Sequence, residues 1–173
     1  MHIIVDGYNM IRQSDALKRA EKQSLETGRH ALIRLVSLYK TKKGHKLTVV
    51  FDGWVNGSPA EEREFSSGID IIYSKLGEKA DDVIKRIART SGEEVVVVTS
   101  DRDIRASVER KEGVVISPRE FEARIKAAQD GWNAFMGRKD DENNESPVGL
   151  SKRGPAKRLS RKQKNDQARL KKL

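Results

Sequence analysis

The sequence predicts an α/β protein: a three-layer, open, mainly parallel sheet flanked by helices, with a basic C-terminal tail appended. Three observations carry this reading. Short runs rich in β-branched residues recur along the chain, helical patterns alternate with them, and residues 151–173 carry a charge unlike that of the rest.

The first run, Ile3-Ile4-Val5, ends on Asp6-Gly7. Residues 15–43 follow as a helical stretch, with Leu17, Ala20, Leu25, Ala31, Leu32, Leu35, Val36 and Leu38 set among charges. The second and third runs occupy residues 47–51 and 69–73, and residues 78–90 then place Ala80, Val83, Ile84, Ile87 and Ala88 at helical spacing. The fourth run covers residues 95–99. Its four consecutive valines would also suit a buried helix, but its brevity and the flanking Gly92 and Ser100-Asp101 favour a strand. A weaker fifth run lies at 114–116. Residues 118–135 open on Pro118, a good first-turn residue, and repeat Phe121, Ile125, Ala128, Trp132 and Phe135 as packing positions. Continuous rather than alternating runs indicate strands buried on both faces, as in a parallel sheet with right-handed crossovers.

The chain has 35 Lys+Arg against 26 Asp+Glu, a formal net charge of +9. Residues 1–150 hold 25 basic and 25 acidic side chains, whereas residues 151–173 hold 10 basic ones and a single acid, Asp166. A uniformly basic fold wrapped on nucleic acid is therefore excluded. The organisation expected is a folded body over 1–137, a polar linker over 138–150 and a basic, flexible tail over 151–173. With no cysteine, a disulfide scaffold, a thiolate metal site and a cysteine nucleophile are all ruled out. No apolar run reaches the roughly 20 residues of a membrane-spanning helix, and the N-terminal run is too short for a secretory signal. A soluble, cytoplasmic protein with no membrane partner and no small-molecule cofactor is the expectation.

In an open parallel sheet, ligands bind at the carboxyl ends of the strands. Those ends carry Asp6, Asp52 and Asp101, with Asp103 two residues beyond, while Asp81-Asp82 falls in the first turn of a helix after the third run. Like charges held together either take up protons or gather a divalent cation. Oxygen donors without His or Cys suit Mg²⁺ or Mn²⁺ rather than Zn²⁺, and such a cluster supports hydrolysis of a phosphodiester. Each acid has an ordinary structural reading as well. Asp6-Gly7 and Asp52-Gly53 suit turns, Ser100 and Asp101 suit helix N-caps, and Asp81 and Asp82 suit the positive end of a helix dipole. For Asp52 the turn is the favoured reading. What those separate readings leave unexplained is why three strand ends and one helix start all carry Asp.

The segment Ile3-Ile4-Val5-Asp6-Gly7-Tyr8-Asn9 resembles the opening signature of NYN domains, and Val96-Val97-Val98-Thr99-Ser100-Asp101-Arg102-Asp103 resembles the second signature. The order of segments, with Phe51-Asp52-Gly53 and Ala80-Asp81-Asp82, is similar to the bacterial YacP-like branch, over roughly residues 1–135. The resemblance implies a PIN-like nuclease fold and a metal-dependent ribonuclease. It implies Asp6, Asp81 and Asp101 as catalytic metal ligands, Asp103 and Asp82 as secondary ones, and Asn9 and Ser100 as polar supports for them. Of the adjacent pair, Asp81 is favoured, because Val83, Ile84 and Ile87 define the buried face of its helix.

RNA must bring phosphate to an acidic pocket, so basic groups outside that pocket have to supply attraction. On the body the candidates are Arg12, Arg102 and Arg105, with Tyr8 and Trp54 placed to stack on unpaired bases. In the tail they include Lys152, Arg153, Lys157, Arg158, Arg161 and Lys162, which neutralise phosphates without reading sequence and suit mRNA, structured RNA or a ribosome surface. Arg12 has an ordinary reading as an exposed charge, Tyr8 as core, and the tail as a solubilising segment. Two rival functions remain: a non-catalytic RNA- or ribosome-binding module of the same fold, and a phosphotransfer domain. Against the latter, a haloacid-dehalogenase-type enzyme wants a second Asp where Tyr8 stands, and a receiver domain wants Lys where Ser117-Pro118 stands.

Overall fold

The computed structural model describes residues 1–53, 59–137 and 160–173. Two compact units emerge, Met1–Gln129 and Asp130–Leu173. In the first unit the apolar runs are strands. Central β1 (His2–Asp6) pairs in parallel with β2 (Lys46–Phe51) on one side and with β5 (Val95–Val98) on the other. Beyond β2 lies β4 (Ile69–Tyr73), and beyond β5 lies β6 (Val114–Ile116), both also parallel. An edge strand, β3 (Glu62–Ser66), runs antiparallel to β4, so the sheet order is β3-β4-β2-β1-β5-β6. The chain builds outward from β1 toward β3 and then restarts at β5. The switch point therefore falls beside β1, where open α/β sheets place their ligands.

Strand side chains alternate between two faces. Ile4, Val50, Ile72 and Val97 point to one face and form a core cluster with Ala80, Val83 and Ile84 of α4 (Ala80–Thr90) and Ile104 and Val108 of α5 (Arg102–Glu109). The other face carries fully buried Ile3, Val5, Val49 and Phe51 and receives α1 (Gly7–Gln13) and α3 (Leu25–Lys43). On that side Tyr39 of α3 meets Phe121 of α6 (Pro118–Gly137) edge to face, with ring centroids 5.3 Å apart. The fold class is that expected from the sequence, with the antiparallel edge making the sheet mixed.

Three local differences have physical causes. The stretch 15–43 is two helices, α2 (Asp15–Glu21) and α3, because Ser24 takes extended backbone and caps α3 by accepting from the Thr27 N–H at 2.9 Å. The short helix α1 was hidden by its lack of a periodic apolar stripe. Its start is set by Asp6, whose Oδ1 accepts from the Asn9 N–H. Strand β3 carries no apolar run at all: Glu62, Arg63 and Glu64 are exposed and Phe65 is 72% exposed, as an edge strand guarded by charge can be.

In the tail, Arg161–Leu170 forms α7, opened by a reciprocal capping box between Ser160 and Gln163, where the sequence reading placed no element. The linker 138–150 and the tail residues 151–159 lie outside the described residues, as do Trp54 and the side chains of Trp132 and Phe135. Among the described residues no helix is long and apolar enough to cross a membrane.

Candidate functional site

A cleft of about 350 Å³ opens at the carboxyl ends of β1, β2 and β5. Four carboxylates line it, Asp6, Asp52, Asp81 and Asp101, together with Tyr8, Asn9, Arg12, Leu25 and Ala80.

Asp6 is the last residue of β1 and is only 8% exposed. Its Oδ1 accepts from the Asn9 N–H at 3.2 Å and its Oδ2 from the Thr99 hydroxyl at 2.9 Å. Burial nevertheless pushes its pKa up to about 6; the two hydrogen bonds oppose the rise, and the charges of Asp81 and Asp101 add to it. Asp101 caps α5, its Oδ1 accepting from the Asp103 N–H at 2.8 Å and the Ile104 N–H at 3.0 Å, while Oδ2 has no hydrogen-bond partner among the described residues. Asp81 stands in the first turn of α4, its carboxylate likewise without a hydrogen-bond partner among the described residues. Its pKa is also raised, by burial first, then by Asp101, with Lys85 opposing. Asp52 follows β2, and its Oδ1 accepts from the Ser74 hydroxyl at 3.2 Å.

The two signature segments are joined directly. Asn9 Oδ1 accepts from the Ser100 N–H at 3.0 Å, the Ser100 hydroxyl at 3.1 Å and the Gln13 side-chain amide at 3.1 Å, and that amide also reaches the Ser100 hydroxyl. Thr99, fully buried, couples the acids by donating to Asp6 and accepting from the Asp101 N–H at 3.1 Å. Two glycines give the cleft its tight floor. A Cβ on Gly7 would sit 2.4 Å from the Phe51 ring, and one on Gly53 would sit 1.9 Å from the Ser74 carbonyl oxygen.

Asp6, Asp81, Asp101, Asn9, Tyr8 and Arg12 thus meet at one cleft, with Ser100 held against Asn9. Asp82 and Asp103 do not line it. Asp103 is 90% exposed and pairs with Lys85 at 3.9 Å. Arg105 is held by Glu109 at 3.6 Å, Arg102 is exposed at the start of α5, and Arg161 and Lys162 are exposed on α7. Lys152, Arg153, Lys157 and Arg158 fall outside the described residues. The sequence reading passed over Asp52 as a turn residue and did not single out Thr99. Position at a strand end was the available signal for Asp52, while nothing in the run Val98-Thr99-Ser100 marks the threonine hydroxyl as the link between the Asp6 carboxylate and the Asp101 backbone N–H.

Asp101 is the N-cap expected of it, Asp6 is a helix N-cap where a turn was expected, and both line the cleft. The donors are oxygens only, which fits a hard divalent cation such as Mg²⁺ or Mn²⁺. Among the described residues, however, no three acidic or histidine side chains are grouped closely enough to hold an ion as they stand.

The family model of the YacP-like NYN domain matches residues 3–172, nearly the whole chain. This chain belongs to the YacP-like NYN domain family. The uncharacterized protein YacP of Bacillus subtilis (strain 168) is 33% identical over 103 residues, a match that spans 57% of this chain and 59% of that relative's length. Two crystal structures of Rae1 (YacP) from Bacillus subtilis are similar in fold. One, a tryptophan-to-leucine mutant, aligns with a TM-score of 0.68 at 24% identity over 86% of each chain. The other aligns with a TM-score of 0.66 at 23% identity over 80% of each chain. Membership of the YacP-like NYN family and the likeness to the two Rae1 (YacP) structures give the chain a PIN-like fold.

Proposed function

We propose that this chain is an Mg²⁺- or Mn²⁺-dependent ribonuclease that cleaves RNA phosphodiester bonds endonucleolytically, including RNA on the ribosome. The observation that carries the reading is the convergence of Asp6, Asp52, Asp81 and Asp101, from four separate segments, on one cleft at the topological switch point. Like charges gathered at one cleft repel one another, a cost that a site with a use for negative charge can offset.

Asp6, Asp81 and Asp101 would hold the cation, with Asp52 beside them. When bound, a divalent ion supplies an activated water and offsets charge on the phosphodiester oxygens. The chain's own groups do the positioning. Thr99 and the Asn9 N–H fix both oxygens of Asp6, the N-terminal amides of α5 fix Asp101, and Asn9 locks the two signature segments in register. Arg12, over the Tyr8 ring at 5.8 Å, presents a cation at the cleft wall to draw in phosphate.

The test is RNA cleavage by purified protein with Mg²⁺ or Mn²⁺, against a chelator and against Asp6→Asn and Asp81→Asn. Cleavage that needs the metal and vanishes in both variants is expected. Equal cleavage by wild type and variants would sink the assignment. RNA binding without any cleavage would instead mark a non-catalytic module.

A further inference from the structure

We propose that Tyr73 and Arg29 form a nucleotide subsite next to the acidic cleft, beyond Tyr8 and Arg12, that takes an unpaired base and its phosphate. The inference deepens the ribonuclease reading and takes its substrate class, single-stranded RNA, from it.

The fully buried Phe51 ring is the floor of this surface. Tyr8 meets it edge-on at 5.3 Å, and Tyr73 stacks on it at 5.6 Å with 21° between planes. Each tyrosine is partly exposed and carries an arginine on its face, Arg12 at 5.8 Å over Tyr8 and Arg29 at 5.5 Å over Tyr73. The same two-part unit therefore occurs twice against one buried ring. The first copy lines the cleft. The second is continuous with it, because Arg29 lies one turn along α3 from Leu25, a cleft residue that is 42% exposed. Tyr73 also precedes Ser74, which bonds Asp52.

Neither Arg12 nor Arg29 has an ion pair or hydrogen bond among the described residues. Arg63, Arg86, Arg105 and Arg124 of the same body are all paired with glutamates. A guanidinium set on an aromatic face with its N–H fork unused is oriented and still able to bind a phosphate, and its outer face can stack on a base. Glu62, the register partner of Tyr73, and Glu64 stand on β3 beside this unit without pairing to Arg29, so they bound the phosphate path on the sheet-edge side. A paired base in a duplex cannot reach such a platform, which makes the subsite selective for single strands.

The experiment uses the full chain carrying Asp81→Asn, to stop turnover, and a fluorescein-labelled oligouridylate of about ten nucleotides, within the reach of one single-strand groove. Anisotropy is read against salt, with an RNA hairpin duplex as the second probe. Arg29→Ala and Tyr73→Leu are each expected to weaken single-strand binding about five- to tenfold, the low end of the loss of one stacking contact. Duplex binding should stay within twofold. Arg29→Lys should keep the salt slope while losing affinity, since it keeps the charge and not the plane. Melting temperatures control for folding. Unchanged single-strand affinity in both variants, or an equal loss on the duplex, overturns the subsite. If the unsubstituted chain cleaves RNA while Arg29→Ala binds as tightly as its parent, the subsite falls and the ribonuclease reading stands. If Arg29-dependent binding is found in a chain that never cleaves, the subsite stands and the ribonuclease reading falls.

Discussion

At Asp6 a carboxylate occupies the last position of the central strand, and burial, ahead of the neighbouring acids, pushes its pKa up to about 6. The sign of the consequence follows from proton counts. Below pH ~4 the carboxyl is protonated in folded and unfolded chains alike, so it contributes nothing. Between pH ~4 and ~6 the folded state holds more protons than the unfolded one, so stability falls as pH rises, and the full cost is present at neutral pH. Asp6→Asn should therefore raise the stability of the metal-free protein at pH 7.5 by about 1–3 kcal/mol, with no gain at pH 3.5. Denaturant melts of both proteins across that range check it, and a variant less stable at pH 7.5 would contradict it. The same change should abolish RNA cleavage. Gly7 is the opposite case, a residue with no chemistry. Its missing Cβ is what lets α1 lie against Phe51, so Gly7→Ala should cost about 2–3 kcal/mol in a thermal or denaturant melt. Asp6, Asp81 and Asp101 were legible in the sequence because strand ends and helix starts are readable from apolar runs. Thr99 was not, because only the β1–β5 register, with Val5 opposite Val98, brings its hydroxyl beside Asp6.

Among elements, those with a hydrophobic signature were readable and those made by capping or edge position were not. β1, β2, β4 and β5 are buried on both faces, and their runs say so. β3 is held by pairing to β4 alone, so its side chains carry no pattern. The break between α2 and α3 rests on the Ser24 cap and on Gly28, where a Cβ would come within 3.0 Å of Glu21. A polar bridge matters more to the site than either. Asn9 ties the start of α1 to the turn before α5 through its single carbonyl oxygen. Asn9→Ala removes both Ser100 contacts from a partly exposed place, so its stability cost should be only about 1 kcal/mol. Its effect on cleavage should be larger, tenfold or more in kcat, because Asp101 would lose its fixed relation to Asp6. Parallel melts and single-turnover cleavage separate the two effects. A rate loss no greater than the stability loss would place Asn9 in folding alone.

Across the whole chain, charge is segregated by task. Residues 1–150 are formally neutral yet gather four carboxylates at one cleft, while residues 151–173 carry the entire net charge of +9. An acidic cleft repels phosphate at a distance, and a separate cationic segment restores attraction without diluting the acids that would hold a cation. Among the described tail residues, α7 has no buried residue and displays Arg161, Lys162 and Lys164 to solvent. Because each phosphate contact to a single strand contributes about 0.7 to the slope of log affinity against log salt, removal of residues 151–173 should flatten that slope by several such steps. Affinity for RNA and for ribosomes should fall most steeply at low salt, and the gap should close as salt screens the tail. Cleavage of a short unpaired oligonucleotide at saturating concentration should survive, since Asp6, Asp52, Asp81 and Asp101 all lie before residue 138. Titrations of RNA and sedimentation with ribosomes at several salt concentrations, on full-length and truncated chains, measure each part. Unchanged low-salt affinity would remove the tail from RNA capture, and loss of saturated cleavage would instead make the tail part of the active unit.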